Sequence, residues 1–170
     1  MCGSPELIAD SLYLAAFRFL SKEGSFLDRR DYRGWFALLT DDIHYRVAAQ
    51  IHQDAAAITK NYAIIDEDAV ALRARVEQIG TPKLTHAENP PSLTRRMFSS
   101  VNVEQSEQSG EITVYSNIMV FRGKPEIGDG GIYSGLREDR LREVDGRWKL
   151  ARRFVRLDHT VLYGCVSIIF

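Results

Sequence analysis

The chain has 170 residues, 45% hydrophobic and 26% charged, the composition of an ordinary globular protein of one domain's length. Lys and Arg number 22 against 23 Asp and Glu, a formal charge of -1. That balance excludes a sequence-independent nucleic-acid binder, which needs a basic excess to release phosphate counterions, and no apolar run reaches the about 20 residues of a membrane span.

The N-terminus carries no basic n-region followed by an apolar run, because Glu6, Asp10 and Arg18 interrupt it. Two cysteines, Cys2 and Cys165, are too few for a disulfide framework, a zinc site or an iron–sulfur cluster within one chain. The expectation is a cytoplasmic protein with a single domain over 1–170, no metal, and neither membrane nor nucleic acid as partner.

The first third reads as helix. Ser4-Pro5 pairs an N-cap with a proline at the first helical position. Ile8, Leu12, Ala15 and Phe19 then form one apolar stripe, and Gly24 is expected to end the helix. Asp28 is expected to cap a second helix that buries Tyr32, Trp35, Phe36 and Leu39, followed by a strand over 43–50. Asp66-Glu67-Asp68 places negative charge at the positive end of a third helix. Its stripe is Ala69, Leu72, Val76 and Ile79, and Gly80 with Pro82 ends it.

From Leu93 the pattern turns to strands. Over 93–104, Met97, Ser99, Val101 and Val103 alternate with Arg96, Phe98, Ser100 and Asn102. A β-branched and aromatic run over 111–122 follows a Ser109-Gly110 turn, and 123–131, with Pro125 and its glycines, reads as a loop. Strands over 132–144 and 147–162 meet at Asp145-Gly146, a strong signal for a type I′ hairpin. Helices followed by a long antiparallel meander predict an α+β fold, a curved sheet wrapped by N-terminal helices into a cone with an open mouth.

The most suggestive cluster is Asp41-Asp42-Ile43-His44 with His52 beyond it. An iron site needs two His and a carboxylate converging on one ion. Eight residues of extended strand would hold His44 and His52 about 26 Å apart, so an iron site is rejected. Asp41 or Asp42 with His44 and Tyr45 could instead serve as acid–base groups at a cone mouth. The bland alternative is a turn acid pair followed by a half-buried histidine. His86 and His159 are lone histidines, read as solvated or locally bonded.

The arginines say more. Between Tyr133 and Arg156 seven Arg and one Lys face four acids, and Arg95 and Arg96 extend the patch. Arg152 and Arg153 have opposite strand parity, so one of them can face a partner. Bidentate contacts to carboxylates at a subunit interface compete here with an ordinary solvated or intramolecular network. The chain ends Val166-Ser167-Ile168-Ile169-Phe170, an apolar segment that would be an aggregation hazard if exposed. Ile168, Ile169 and Phe170 are expected to bury against a neighbouring subunit, with a fold back into the chain's own core as the alternative.

Six stretches together resemble one family. They are Tyr32-Arg33-Gly34-Trp35-Phe36-Ala37-Leu38-Leu39-Thr40-Asp41-Asp42-Ile43-His44-Tyr45, Asn89-Pro90-Pro91-Ser92-Leu93-Thr94-Arg95-Arg96, Tyr115-Ser116-Asn117, the run from Arg137 to Arg153, Leu157-Asp158-His159-Thr160-Val161-Leu162, and the final Val166 to Phe170. In this order they resemble the small (beta) subunit of bacterial aromatic-ring-hydroxylating dioxygenases over nearly the whole chain. The resemblance implies an NTF2-like, cystatin-like cone and a mainly structural role. It implies a large (alpha) subunit as partner, with three of each subunit (alpha3beta3). That partner would carry a Rieske [2Fe–2S] cluster and a mononuclear Fe(II), and take NAD(P)H electrons through a ferredoxin to form cis-dihydrodiols. It implies no catalytic, cofactor-binding or metal-binding residue in this chain. Arg95, Arg96, Arg152, Arg153, Ile168, Ile169 and Phe170 are the expected interface. Two other readings keep the fold: a stand-alone dehydratase or isomerase using Asp41 and His44, and a ligand-binding module without chemistry.

Overall fold

A computed structural model describes residues 5–49, 63–81, 88–106, 110–124, 128–159 and 168–170. Ser4, His52, Pro82, His86, Ser109, Pro125, Cys2, Cys165, the stretch 160–162 and Val166-Ser167 lie outside the described residues. Among the described residues three helices, α1 (Pro5–Asp28), α2 (Tyr32–Phe36) and α3 (Ala69–Gly80), precede or interrupt the strands. The strands are β1 (Leu39–Ala49), β2 (Ala63–Glu67), β3 (Leu93–Gln105), β4 (Glu111–Lys124), β5 (Asp129–Val144) and β6 (Arg147–Leu157). They form one mixed sheet in the order β2-β1-β6-β5-β4-β3. Every described pairing is antiparallel except β1 with β6.

Helix α1 runs four residues past Gly24. A Cβ at Gly24 would sit 3.0 Å from the Phe98 ring, so the glycine permits close packing on β3 rather than ending the helix. Asp28 therefore caps nothing. Its carboxylate accepts hydrogen bonds from Thr94 Oγ1 at 3.0 Å and the Arg96 amide at 2.9 Å, fastening α1 to β3. Asp31 takes over as N-cap of α2, accepting from the Gly34 amide at 2.9 Å. Only Trp35 of that short helix is fully buried.

Asp68 is the N-cap of α3, accepting from the Val70 and Ala71 amides, and Leu72, Val76 and Ile79 of the expected stripe are buried. Asp66 and Glu67 belong instead to β2, a strand the sequence pattern did not reveal. The expected loop over 123–131 is shorter, because β4 and β5 stay paired to Lys124 and Asp129. Asp145 and Gly146 take φ of 51° and 70°, as a type I′ hairpin requires.

Two irregularities decide which side chains face inward. In β3, Ser99 opposes Asn117 and Asn102 opposes Tyr115, so Ser100 and Val101 both face Ser116 of β4. Ser100 bulges at φ 50°, and the strand changes face there. Arg96 and Phe98 turn toward α1 before the bulge; Val101 and Val103 join the core after it. In β6, Arg152 opposes Arg140 but Leu150 opposes Leu141, leaving Ala151 as the extra residue. That insertion puts Leu150 and Arg153 on the same inner face.

Candidate subunit-interaction surface and the polar interior

The inside of the cone holds a compact charged cluster. Glu23 comes from α1, Arg137 and Asp139 from one face of β5, and Arg153 from β6; all four are buried. Arg153 binds Asp139 through Nε and Nη2 at 2.7 and 2.9 Å. It binds Glu23 through Nη1 and Nη2 at 2.6 and 2.8 Å. Arg137 Nη2 reaches both Glu23, at 3.1 Å, and Asp139, at 2.9 Å. Trp35 Nε1 donates to Glu23 at 3.0 Å. Two acids and two bases thus cancel, and four elements are tied at one point.

Burial pushes the Glu23 carboxyl up, but Arg153 and Arg137 with hydrogen bonds from Arg153 and Trp35 outweigh it and bring the pKa down to about 2. Glu23 is therefore a carboxylate at neutral pH, matched by the guanidinium groups of Arg153 and Arg137.

The segment Ile168–Phe170 completes this interior. All three residues are buried within their own chain. Phe170 NH donates to Tyr45 Oη at 2.8 Å, and its main-chain oxygen accepts from Tyr45 Oη at 3.1 Å and Arg153 Nη1 at 2.9 Å. Arg96 Nη2 donates to the Ile169 oxygen, and the Phe170 ring packs edge-on to Tyr133 at 5.7 Å. The expectation that these residues bury against a neighbour is thereby corrected, as are the interface places of Arg96 and Arg153. Both guanidinium groups are spent inside the chain, Arg96 on Asp28 and Arg153 on Glu23 and Asp139. Of the seven expected interface residues, Arg95 and Arg152 lie at the surface.

The acid–base candidates do not converge. Asp41 borders an open groove of about 790 Å³ between α2 and α3, whereas His44 lies outside it. His44 Nε2 sits 2.6 Å from Asp66 on β2, with both side chains about half exposed. Asp42 is held below the usual carboxylate range, chiefly by its hydrogen bonds from Arg142 at 2.8 and 3.0 Å. Tyr45 points to the opposite face, where burial pushes its hydroxyl up to about 12. Among the described residues no group of three His, Cys, Asp or Glu is placed to hold a metal ion, and no helix is long and apolar enough to cross a membrane.

What the chain does offer is the outer face of its sheet. Met97, Met119, Phe121, Ile132 and Leu136 are each 41–54% exposed. Strand register brings them together: Met97 pairs with Met119, which faces Ser134, and Phe121 pairs with Ile132. Leu136 opposes Asn117 one row further on. Toward the other end the face becomes charged, with Glu138 in one row and Arg140 paired with Arg152 in the next. A contiguous exposed apolar sheet face of this kind marks a surface suited to contact with another molecule. The sequence carried a sign of it in Ile118-Met119-Val120-Phe121, apolar on both parities, the pattern of a strand covered on two sides.

Residues 22–163 match the family described as the ring hydroxylating beta subunit. The chain belongs to that family. It is 31% identical to the biphenyl 2,3-dioxygenase subunit beta of Rhodococcus jostii (strain RHA1), over 98% of this chain and 92% of that one. Its fold matches a naphthalene 1,2-dioxygenase structure with a TM-score of 0.82 at 22% identity, covering 95% of this chain and 86% of that chain. A putative scytalone dehydratase from Novosphingobium aromaticivorans DSM 12444 shares the fold at a TM-score of 0.69 and 20% identity, over 95% of each chain. The cone therefore serves more than one kind of protein, and the sequence relationship separates them. As a beta subunit of a ring-hydroxylating dioxygenase, the chain is part of an oxidoreductase and is not its catalytic subunit.

Proposed function

We propose that this beta subunit holds together the iron-bearing large subunits of a multicomponent dioxygenase that adds O₂ to an aromatic ring as a cis-dihydrodiol. In this reading it folds as one domain over 1–170, works in the cytoplasm and assembles as alpha3beta3. The large subunit carries the Rieske [2Fe–2S] cluster and the mononuclear Fe(II), and receives NAD(P)H electrons through a ferredoxin.

The observation that supports the reading best is the pairing of a filled interior with an apolar exterior. The cone's inside is taken up by the Glu23–Arg153 cluster and Phe170, while the sheet's outside exposes Met97, Met119, Phe121, Ile132 and Leu136. A stand-alone enzyme wants the reverse. We place the subunit contacts on this face and its charged margin, with Arg95 beside Phe121 and Arg152 beside Arg140.

Two substitutions test it. Met119→Asp and Phe121→Asp put charge on the outer face without touching the core. Co-expressed with the large subunit, either variant should yield a folded beta subunit that no longer co-purifies in a full-size complex. Full-size complexes from both variants would contradict the proposal.

A further inference from the structure

Residues 168–170 are held as a ligand is held. Their polar main-chain atoms are met by side chains from distant strands: Tyr45 of β1 takes both the NH and the oxygen of Phe170, Arg153 of β6 takes the same oxygen, and Arg96 of β3 takes the oxygen of Ile169. The Phe170 ring meets Tyr133 of β5 edge to face.

Two of the polar wall groups have further partners within the chain. Arg153 is fixed by Asp139 and Glu23, each through two hydrogen bonds. Arg96 is fixed by Asp28 and Thr94. Tyr45 differs: among the described residues its hydroxyl bonds only to Phe170, so this group is the one committed to the segment itself.

We infer that the inside of the cone is a preformed binding pocket for an aromatic peptide segment, filled in cis by residues 168–170. The ligand chemistry is an aromatic ring against Tyr133, with a main-chain NH and oxygen at Tyr45 and Arg153. While residues 168–170 occupy it, the pocket is closed to any other ligand. The walls belong to one chain, so the inference stands apart from the assembly reading.

The full-length Phe170→Ala chain vacates the ring space and keeps the main-chain contacts. Refolded with and without toluene, it should take up one equivalent of toluene saturably and melt at a higher temperature with it; the wild-type chain should do neither. If the variant fails to fold alone, toluene should raise the yield of folded protein. A chain ending at residue 167, refolded with N-acetyl-Ile-Ile-Phe, should likewise bind the peptide. Adding Tyr45→Phe to that chain should weaken binding roughly tenfold, the worth of one good hydrogen-bonding group. A Phe170→Ala chain that neither binds toluene nor is rescued by it would overturn the inference, as would peptide binding indifferent to Tyr45→Phe.

Discussion

Arg153 grips Glu23 through two hydrogen bonds of 2.6 and 2.8 Å across the interior of the cone, joining β6 to α1 with no solvent contact. A desolvated pair of this kind costs several kcal/mol to break, because the remaining charge is left buried and unmatched. Glu23→Gln should therefore destabilise the subunit by about 3–5 kcal/mol. Chemical denaturation of the isolated chain would measure it; a loss below 1 kcal/mol would show that the cluster is not a structural centre.

The same pair sets an acid limit. Glu23 has its folded pKa lowered to about 2, below the about 4.3 of a free carboxyl. Its contribution is thus complete above the unfolded pKa and is lost as pH falls from there toward 2. Of the order of 3 kcal/mol of stability should disappear across that window. A pH series of unfolding curves should show this slope in wild type and lack it in Glu23→Gln.

Charge reversal separates two adjacent arginines. Arg153→Glu would place three carboxylates together in the core and should abolish folding. Arg152 is exposed and opposes Arg140, so Arg152→Glu should leave monomer stability within about 0.5 kcal/mol. Circular dichroism of the two variants checks this, and equal behaviour would contradict the assigned bulge at Ala151.

His44→Ala and Asp41→Ala should leave dihydroxylation by the assembled enzyme nearly unchanged. The His44–Asp66 pair is exposed, which limits its value to about 1 kcal/mol or less. Turnover of an aromatic substrate by complexes of full size is the measurement. A fall by orders of magnitude would restore an acid–base role for this cluster.

The sequence was readable wherever a signal is local. Asp68 before Ala69 marked the start of α3, Asp145-Gly146 marked the hairpin, and the alternation beyond Leu93 marked the meander. It misled where an answer depends on a distant strand. Gly24 resembles a helix end until Phe98 of β3 is seen against it. Arg152 and Arg153 differ only in parity, and the extra residue at Ala151 that decides between them is visible only in pairing with β5. Ile168, Ile169 and Phe170 were expected against a neighbouring subunit because Tyr45, 125 positions earlier in the chain, gives no sequence sign of binding Phe170. The outer face was missed for the same reason: Met97, Phe121 and Ile132 lie on three strands and become one surface only through register.

The central claim is that an apolar sheet exterior, not any group inside the cone, is what this subunit contributes. Native mass spectrometry of the beta subunit co-purified with its large subunit tests this most directly, run on wild type and Phe121→Asp side by side. Equal numbers of the two chains in wild type, and free folded beta subunit in the variant, are the predicted result. A variant complex of the same mass as wild type, or a wild-type chain that forms no complex with the large subunit, would contradict the account.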